Sequence, residues 1–318
     1  MKATARAHPN IALVKYWGKR DRVLNLPAVP SLSLTLDRYH TTTTVTWETQ
    51  TDSVRLNAEA ICGRPLQRVL DFMDRLWGPH RPCVHVDSKN NFPTAAGLAS
   101  SSSGFAALAL AGMAAAGREA SKTELSILAR QGSGSACRSL WGGWVSWDRG
   151  QKSDGSDSHG RPLAPQNHWD LRMVVAMIAS GPKSIGSTQA MIQTEQSSRL
   201  YPGWVEAAPN DMVQATRAVL ERNLPALGTV MEASTLRMHA SMMSAEPSIR
   251  YWTPATLSVM ERVEKLRKDG VPAWFTMDAG PNVKVLCDST RADTVADTLR
   301  SCCEKVDVLQ AGPDAFLL

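Results

Sequence analysis

No apolar run in this sequence approaches the ~20 residues that a membrane-crossing helix needs, so a spanning helix is not expected. The N-terminal stretch Met1-Lys-Ala-Thr-Ala-Arg-Ala-His-Pro9 has basic residues but no apolar segment long enough for a secretory signal. The six cysteines (Cys62, Cys83, Cys137, Cys287, Cys302, Cys303) form no Cys-x-x-Cys pair, which removes the usual zinc signature. They read as reduced thiols of a cytoplasmic protein. No block of lysines and arginines is present, and the formal net charge is only +5, so nucleic acid is not an expected partner. A site for a multiply anionic small molecule fits that charge, as does an ordinary solvated surface. The phosphate-loop consensus ending in Gly-Lys-Ser/Thr is also missing, so any nucleotide must be held without that lysine. What is present is a globular balance of 20% charged and 43% apolar residues, on a chain of 318 residues that can form two lobes or one large core.

The chemically distinctive stretch is Asn90-Asn-Phe-Pro-Thr-Ala-Ala-Gly-Leu-Ala-Ser-Ser-Ser-Ser-Gly104. A β-like run, Cys83 to Val86, leads into it, and the helix-forming run Phe105 to Ala116 leads out. Strand, small-residue loop and helix start together suit an anion, because small residues admit close backbone approach and first-turn amides point outward unpaired. A flexible serine-rich connection would have the same composition.

Three other stretches combine charge with tight turns. Lys15-Tyr-Trp-Gly-Lys-Arg-Asp21 follows a strand read from Ala3 to Val14; it is either a solvated turn or a set of aromatic bodies that aim ammonium groups into a cleft. Gly132-Ser-Gly-Ser-Ala-Cys-Arg138-Ser places two hydroxyls and an arginine in a small-residue turn. That turn reads as a helix–strand corner or as a clamp for a carboxylate or phosphate, which guanidinium binds bidentately. Asp278-Ala-Gly-Pro-Asn282 separates two β-like runs, Val271 to Met277 and Val283 to Cys287, so Asp278 caps a turn or carries chemistry at a strand end.

Period-two patterns predict strands at Pro30–Leu36 and Thr41–Trp47, paired through Asp37-Arg-Tyr39, and a third strand at Val54–Leu56. Helical spacing of Val69, Leu70, Met73, Leu76 and Trp77 predicts a helix from Leu66 to Trp77 with Arg68 at its start, near the polar edge. Ser121-Lys-Thr-Glu124 has the form of a capping box. Gly150 to His168 is aperiodic and polar and reads as an exposed loop. A buried strand at Leu171–Ile178 precedes helices at 187–194, 204–221, 225–238 and 253–268, and the chain closes with a helix, 291–303, and a strand, 305–309.

Four segments, Asn10-Ile-Ala-Leu-Val-Lys-Tyr-Trp-Gly-Lys-Arg-Asp21, Asn91-Phe-Pro-Thr-Ala-Ala-Gly-Leu-Ala-Ser-Ser101, Gly132 to Ser139 and Asp278 to Asn282, together resemble the diphosphomevalonate decarboxylases of the GHMP kinase superfamily, in the same order and at similar separations. The likeness covers nearly the whole chain and is weakest over 150–168 and 191–248. It implies an α+β, two-lobed GHMP-kinase-like fold, with residues 1–185 as the nucleotide lobe, 186–318 as the second lobe, and the site in the cleft between them. It implies ATP and Mg²⁺, mevalonate 5-diphosphate as substrate, isopentenyl diphosphate as product, and a cytoplasmic homodimer. By the same resemblance Asp278, Arg138 and Lys15 would be catalytic. Tyr16, Lys19, Arg68, Ser133 and Ser135 would bind the substrate diphosphate and its surroundings. Ala96, Gly97, Leu98, Ala99, Ser100, Ser101 and Ser102 would hold ATP, with Ser101 also reaching the metal; which hydroxyl of Ser100 to Ser103 does the phosphate work stays open. The chain has Ala190-Met191 where the family often has Gly-Met. A relative that only phosphorylates, one that takes mevalonate or its monophosphate, and a nucleotide-binding protein without catalysis are the competing readings.

Overall fold

The structure is a computed structural model and describes residues 1–78, 80–93, 97–179 and 184–318. It is a mixed assembly of helices and mainly antiparallel sheets, as the α+β expectation required. Thr41–Trp47 lies inside a six-stranded sheet between Lys2–Ala7 and Val84–Asn90. Its Thr41, Thr43, Val45 and Trp47 are buried while the intervening threonines are half-buried, the alternation a one-faced strand needs. Helices Gly63–Trp77, Ser100–Ala115 and Lys122–Gly132 cover that face and share one apolar core with it. The Ser121/Glu124 capping box is formed as expected, with hydroxyl to backbone amide and carboxylate to backbone amide both in place.

A second sheet contains Asn10–Val14, Ser31–Thr35, Trp144–Trp147 and Gly160–Ala164. A third contains Ala273–Met277, Val283–Asp288, Leu171–Met177 and Lys305–Leu309. The third sheet is buried on both faces. Val174, Ala176, Phe275 and Val285 join the core beneath helices Pro254–Lys268 and Ala292–Arg300. Met173, Val175, Trp274 and Leu286 face helices Tyr201–Leu220 and Leu224–Met243, which also pack on Ile11, Leu13 and Leu34 of the second sheet. That shared core brings the C-terminal end of Asn10–Val14 beside the C-terminal end of Ala273–Met277.

Several local expectations are corrected. The strand read from Ala3 to Val14 is two strands in two different sheets, broken at His8-Pro9, where proline has no N–H for a ladder. Ser31–Thr35 and Thr41–Trp47 do not pair with each other, since each is satisfied by strands distant in sequence. The 150–168 stretch is not simply an exposed loop. It contains the strand Gly160–Ala164, and Gly155 and Ser158 are buried because the Arg130 guanidinium donates to both of their carbonyl oxygens. Phe316–Leu317 adds an edge strand beside Lys2–Ala7 that no periodicity signalled. Among the described residues no helix is long and apolar enough to cross a membrane.

Candidate active site

Asp278 stands immediately after the strand Ala273–Met277, and Lys15 immediately after Asn10–Val14. Lys15 Nζ donates to Asp278 Oδ1 at 2.8 Å and to the Ala12 carbonyl at 2.9 Å, while its backbone amide donates to Ser234 Oγ at 3.1 Å. Lys284, paired in register with Thr276 across the sheet, brings a second ammonium to 3.5 Å from Asp278 Oδ2. Both lysines are 1% exposed, against 25% for the aspartate, so the carboxylate alone reaches the surface of this cluster.

Burial by itself would raise the Asp278 pKa, but Lys15 and Lys284 outweigh it and hold the carboxyl at about 2. Burial pulls Lys15 down to about 8 even though Asp278 favours its charge, and Lys284 is lowered for the same first reason. At neutral pH Asp278 is therefore a carboxylate set between two buried lysines. Asp278 Oδ2 is buried and has no hydrogen-bond partner among the described residues, which leaves an acceptor for a ligand hydroxyl. His239, 1% exposed behind the cluster, is lowered to about 3 by burial and then by Lys15, so it adds no charge.

Arg138 lies in the 3₁₀ helix Gly134–Leu140 and is 2% exposed. Its Nε donates to Asn10 Oδ1 at 3.1 Å and its Nη1 to Ser31 Oγ, and its guanidinium carbon stands 5.7 Å from the centre of the Trp147 ring. Asn10 is itself held by Ser139 Oγ at 2.7 Å and the Ser135 carbonyl at 3.0 Å. Burial lowers the Arg138 pKa, and Asp278 is among the charges that act on it. No acidic side chain among the described residues forms an ion pair with Arg138. A buried guanidinium held only by neutral partners is suited to an anion from outside.

The remaining sequence-predicted residues form the surroundings. Tyr16 packs on Trp147 with ring centroids 4.7 Å apart, and its buried hydroxyl has no partner among the described residues. Lys19 Nζ donates to Asn25 Oδ1 at 2.6 Å; burial, then Arg68 and Arg22, lower it to about 8. Arg68 does not start its helix but sits in the second turn, stacked 4.7 Å over Phe105 and donating to the Gly132 carbonyl at 2.7 Å. Cations that repel one another, with no carboxylate paired to Lys19 or Arg68 among the described residues, make a diphosphate-sized anion favourable there. Ser133 is buried with its hydroxyl 3.1 Å from Ser101 Oγ, and Ser135 contributes its carbonyl to Asn10.

In the glycine–serine loop, Ala96 lies outside the described residues. Gly97 has φ +71° and Ala99 φ +55°, left-handed conformations that turn the chain into the helix Ser100–Ala115. Among the described residues no side chain caps that helix, and of its first-turn amides the Ser102 N–H is taken by the Ala99 carbonyl at 2.9 Å, which leaves those of Ser100 and Ser101 for an anion. The hydroxyls of Ser102 and Ser103 are buried and turned back to the carbonyls of Ala99 and Ser100. Ser101 is exposed, the most accessible hydroxyl of the run Ser100–Ser103. Open amides beside one accessible hydroxyl fit a nucleotide whose Mg²⁺ is held mostly by phosphate and water.

Sequence reasoning missed Lys284 and Asn10. A lysine between valines in Val283-Lys-Val285, an apolar strand, was the available signal, since lysine is almost never fully buried unless paired. For Asn10 the signal was weaker, a polar residue opening an otherwise apolar strand.

Two family models match the chain: the diphosphomevalonate decarboxylase-like N-terminal domain over residues 7–160, and the mevalonate 5-diphosphate decarboxylase C-terminal domain over residues 173–314. The diphosphomevalonate decarboxylase of Bos taurus is 39% identical over 317 residues, covering 92% of this chain and 78% of that protein. A solved structure of the mevalonate diphosphate decarboxylase from Enterococcus faecalis superposes with a TM-score of 0.92 at 39% identity, covering 100% of this chain and 99% of that one. A structure of MDDEF in complex with MVAPP, AMPPCP and magnesium gives 0.94 at 40% identity, again over 100% and 99%.

Proposed function

The chain belongs to the diphosphomevalonate decarboxylase family, and from that footing we infer that it couples ATP to the decarboxylation of mevalonate 5-diphosphate, yielding isopentenyl diphosphate, ADP, phosphate and carbon dioxide. The observation that carries this reading is the ionised Asp278 with one unpartnered oxygen, flanked by two buried lysines and close enough to the buried Arg138 for their charges to interact.

Phosphoryl transfer to the tertiary C3 hydroxyl turns that oxygen into a phosphate leaving group. Its departure places positive charge on C3. The electrons of the bond to the carboxylate carbon then form the alkene, and carbon dioxide leaves. No carbanion arises, so no electron sink is needed. The protein's task is to orient the hydroxyl, neutralise phosphate charge and hold the carboxylate.

With its pKa near 2, Asp278 is a weak base toward an alcohol. Its Oδ2 therefore acts first as the acceptor that aims the hydroxyl and takes its proton only as the new phosphate ester forms. Lys15 keeps that carboxylate ionised and faces the charge of the moving phosphoryl group. Arg138 holds the substrate carboxylate. Tyr16, Lys19, Arg68, Ser133 and Ser135 take the diphosphate and its surroundings, and the amides of Gly97 to Ser101 take the ATP phosphates. Ser101 would be the protein hydroxyl that holds a magnesium ion, which would supply charge neutralisation on those phosphates.

We read residues 1–185 as the nucleotide lobe and 186–318 as the second lobe, with Leu171–Met177 crossing to pair in the second lobe's sheet. By family likeness the protein is a cytoplasmic homodimer whose partners are small anions.

The reaction is tested by incubating purified protein with ATP, Mg²⁺ and either mevalonate diphosphate or its monophosphate. ADP, inorganic phosphate and carbon dioxide in equal amounts from the diphosphate is the expected outcome. Phosphate retained on the organic product would identify a kinase, carbon dioxide from the monophosphate alone would change the substrate, and nucleotide binding without turnover would remove the enzymatic reading.

A further inference from the structure

Lys284 lies in the middle of an apolar strand, with Val283 and Val285 at 0% exposure and its own side chain at 1%. An ammonium there is costly unless its donors are all used. Two donors go to the Gly97 carbonyl at 2.7 Å and the Asn282 carbonyl at 3.3 Å, and Asp278 Oδ2, 3.5 Å away, supplies an opposite charge rather than a hydrogen bond. Among the described residues the Lys15 ammonium reaches only Asp278 and the Ala12 carbonyl. Lys284 thus contacts both the glycine–serine loop and the aspartate. The two backbones are also close, since a Cβ on Gly97 would stand 3.4 Å from the Gly280 Cα.

We propose that Lys284 is a positioning residue that ties the phosphate loop to the aspartate-bearing turn, setting where the nucleotide's terminal phosphoryl group stands relative to the substrate hydroxyl. This rests on the functional reading above. It touches neither reacting atom, and it acts through Gly97, two residues before the turn into the helix whose amides face the nucleotide. Its loss frees the loop while leaving Lys19, Arg68 and Arg138 in place, so the nucleotide suffers and the diphosphate substrate does not.

The test compares Lys284→Met and Lys284→Gln with the parent chain, measuring the Kd of AMPPCP with Mg²⁺ and of mevalonate diphosphate separately by calorimetry, together with kcat and both KM values. Lys284→Met is expected to weaken nucleotide binding about tenfold or more and raise the ATP KM in parallel, the effect of losing a charged hydrogen bond that orders a binding loop. The Kd of mevalonate diphosphate is expected to stay within about twofold. Lys284→Gln keeps an N–H for the Gly97 carbonyl and is expected to recover part of the loss, leaving nucleotide binding about threefold weaker than in the parent. Unchanged nucleotide affinity in either folded variant would overturn the proposal. So would an equal fall in both affinities, which is what a merely structural lysine would give. If Lys284→Met fails to fold, the same comparison on Lys284→Gln decides. Because nucleotide affinity is read without turnover, a parent protein that binds both ligands but releases no carbon dioxide would refute the assigned reaction and leave this comparison intact.

Discussion

Replacing Asp278 with asparagine removes a charge and almost nothing else, so the consequence can be worked from distances. Lys15 Nζ at 2.8 Å and Lys284 Nζ at 3.5 Å would each lose a Coulomb attraction of about 6 and about 5 kcal/mol at an effective dielectric constant of ~20. These gross terms are offset because the carboxylate no longer has to be desolvated, and because a buried lysine can shed its proton. Removing one partner of a buried pair costs a net ~3–5 kcal/mol, and that is the stability loss expected near pH 7 for Asp278→Asn. The pH dependence separates this cause from lost packing. Without the carboxylate the Lys15 pKa falls further below its present value of about 8. Between that lowered pKa and the ordinary lysine value, the unfolded chain holds a proton that the folded chain has released, so raising the pH favours folding. The parent's Lys15 does the same above about 8, so the deficit should shrink as the pH rises from the lowered Lys15 pKa to about 8 and level off above it when both proteins are unfolded in urea. Carbon dioxide release should fall by at least about a hundredfold in the same variant, since orientation and proton acceptance are worth ~10²–10⁴. A deficit below about 1 kcal/mol at pH 7, or one that does not change with pH, would refute the charge-cluster reasoning, the net cost of breaking such a pair being several-fold larger.

Two further outcomes follow from the same geometry. The kcat/KM for mevalonate diphosphate should decline above pH 8, as Lys15 and Lys19, both lowered to about 8, lose the protons that Asp278 and the substrate diphosphate rely on; a rate that rises through pH 9 would contradict this. Gly97→Ala puts a side chain on a residue at φ +71° and 3.4 Å from the Gly280 Cα, a strain of about 1–2 kcal/mol that falls on the phosphate loop, so the ATP KM should rise about tenfold with little change for the other substrate. Steady-state kinetics with each substrate varied in turn checks it.

Much of the site was legible because its main residues sit in short motifs beside turns. Lys15, Arg138 and Asp278 each follow a recognisable strand end or small-residue corner, and the Ser121/Glu124 capping box could be read from four residues. What was not legible depends on partners far along the chain. Lys284 looks like a misplaced charge in a β run until the Gly97 carbonyl and Asp278 are brought to it. The burial of Gly155 and Ser158 depends on Arg130, whose guanidinium satisfies their carbonyls, and no local pattern encodes that arrangement. Strand pairing failed for the same reason: Ser31–Thr35 and Thr41–Trp47 are adjacent in sequence and each alternates correctly, but alternation specifies a face and not a neighbour. Proline in His8-Pro9 was a visible cue to the broken strand that the apolar content of the flanking segments concealed.

The claim on which the mechanism turns is where the substrate hydroxyl lies. A crystal structure of this protein with mevalonate diphosphate, AMPPCP and magnesium measures it directly. The C3 hydroxyl is expected within hydrogen-bond distance of Asp278 Oδ2, with the substrate carboxylate on the Arg138 guanidinium. A hydroxyl turned away from Asp278, or a carboxylate bound elsewhere than Arg138, would contradict the account.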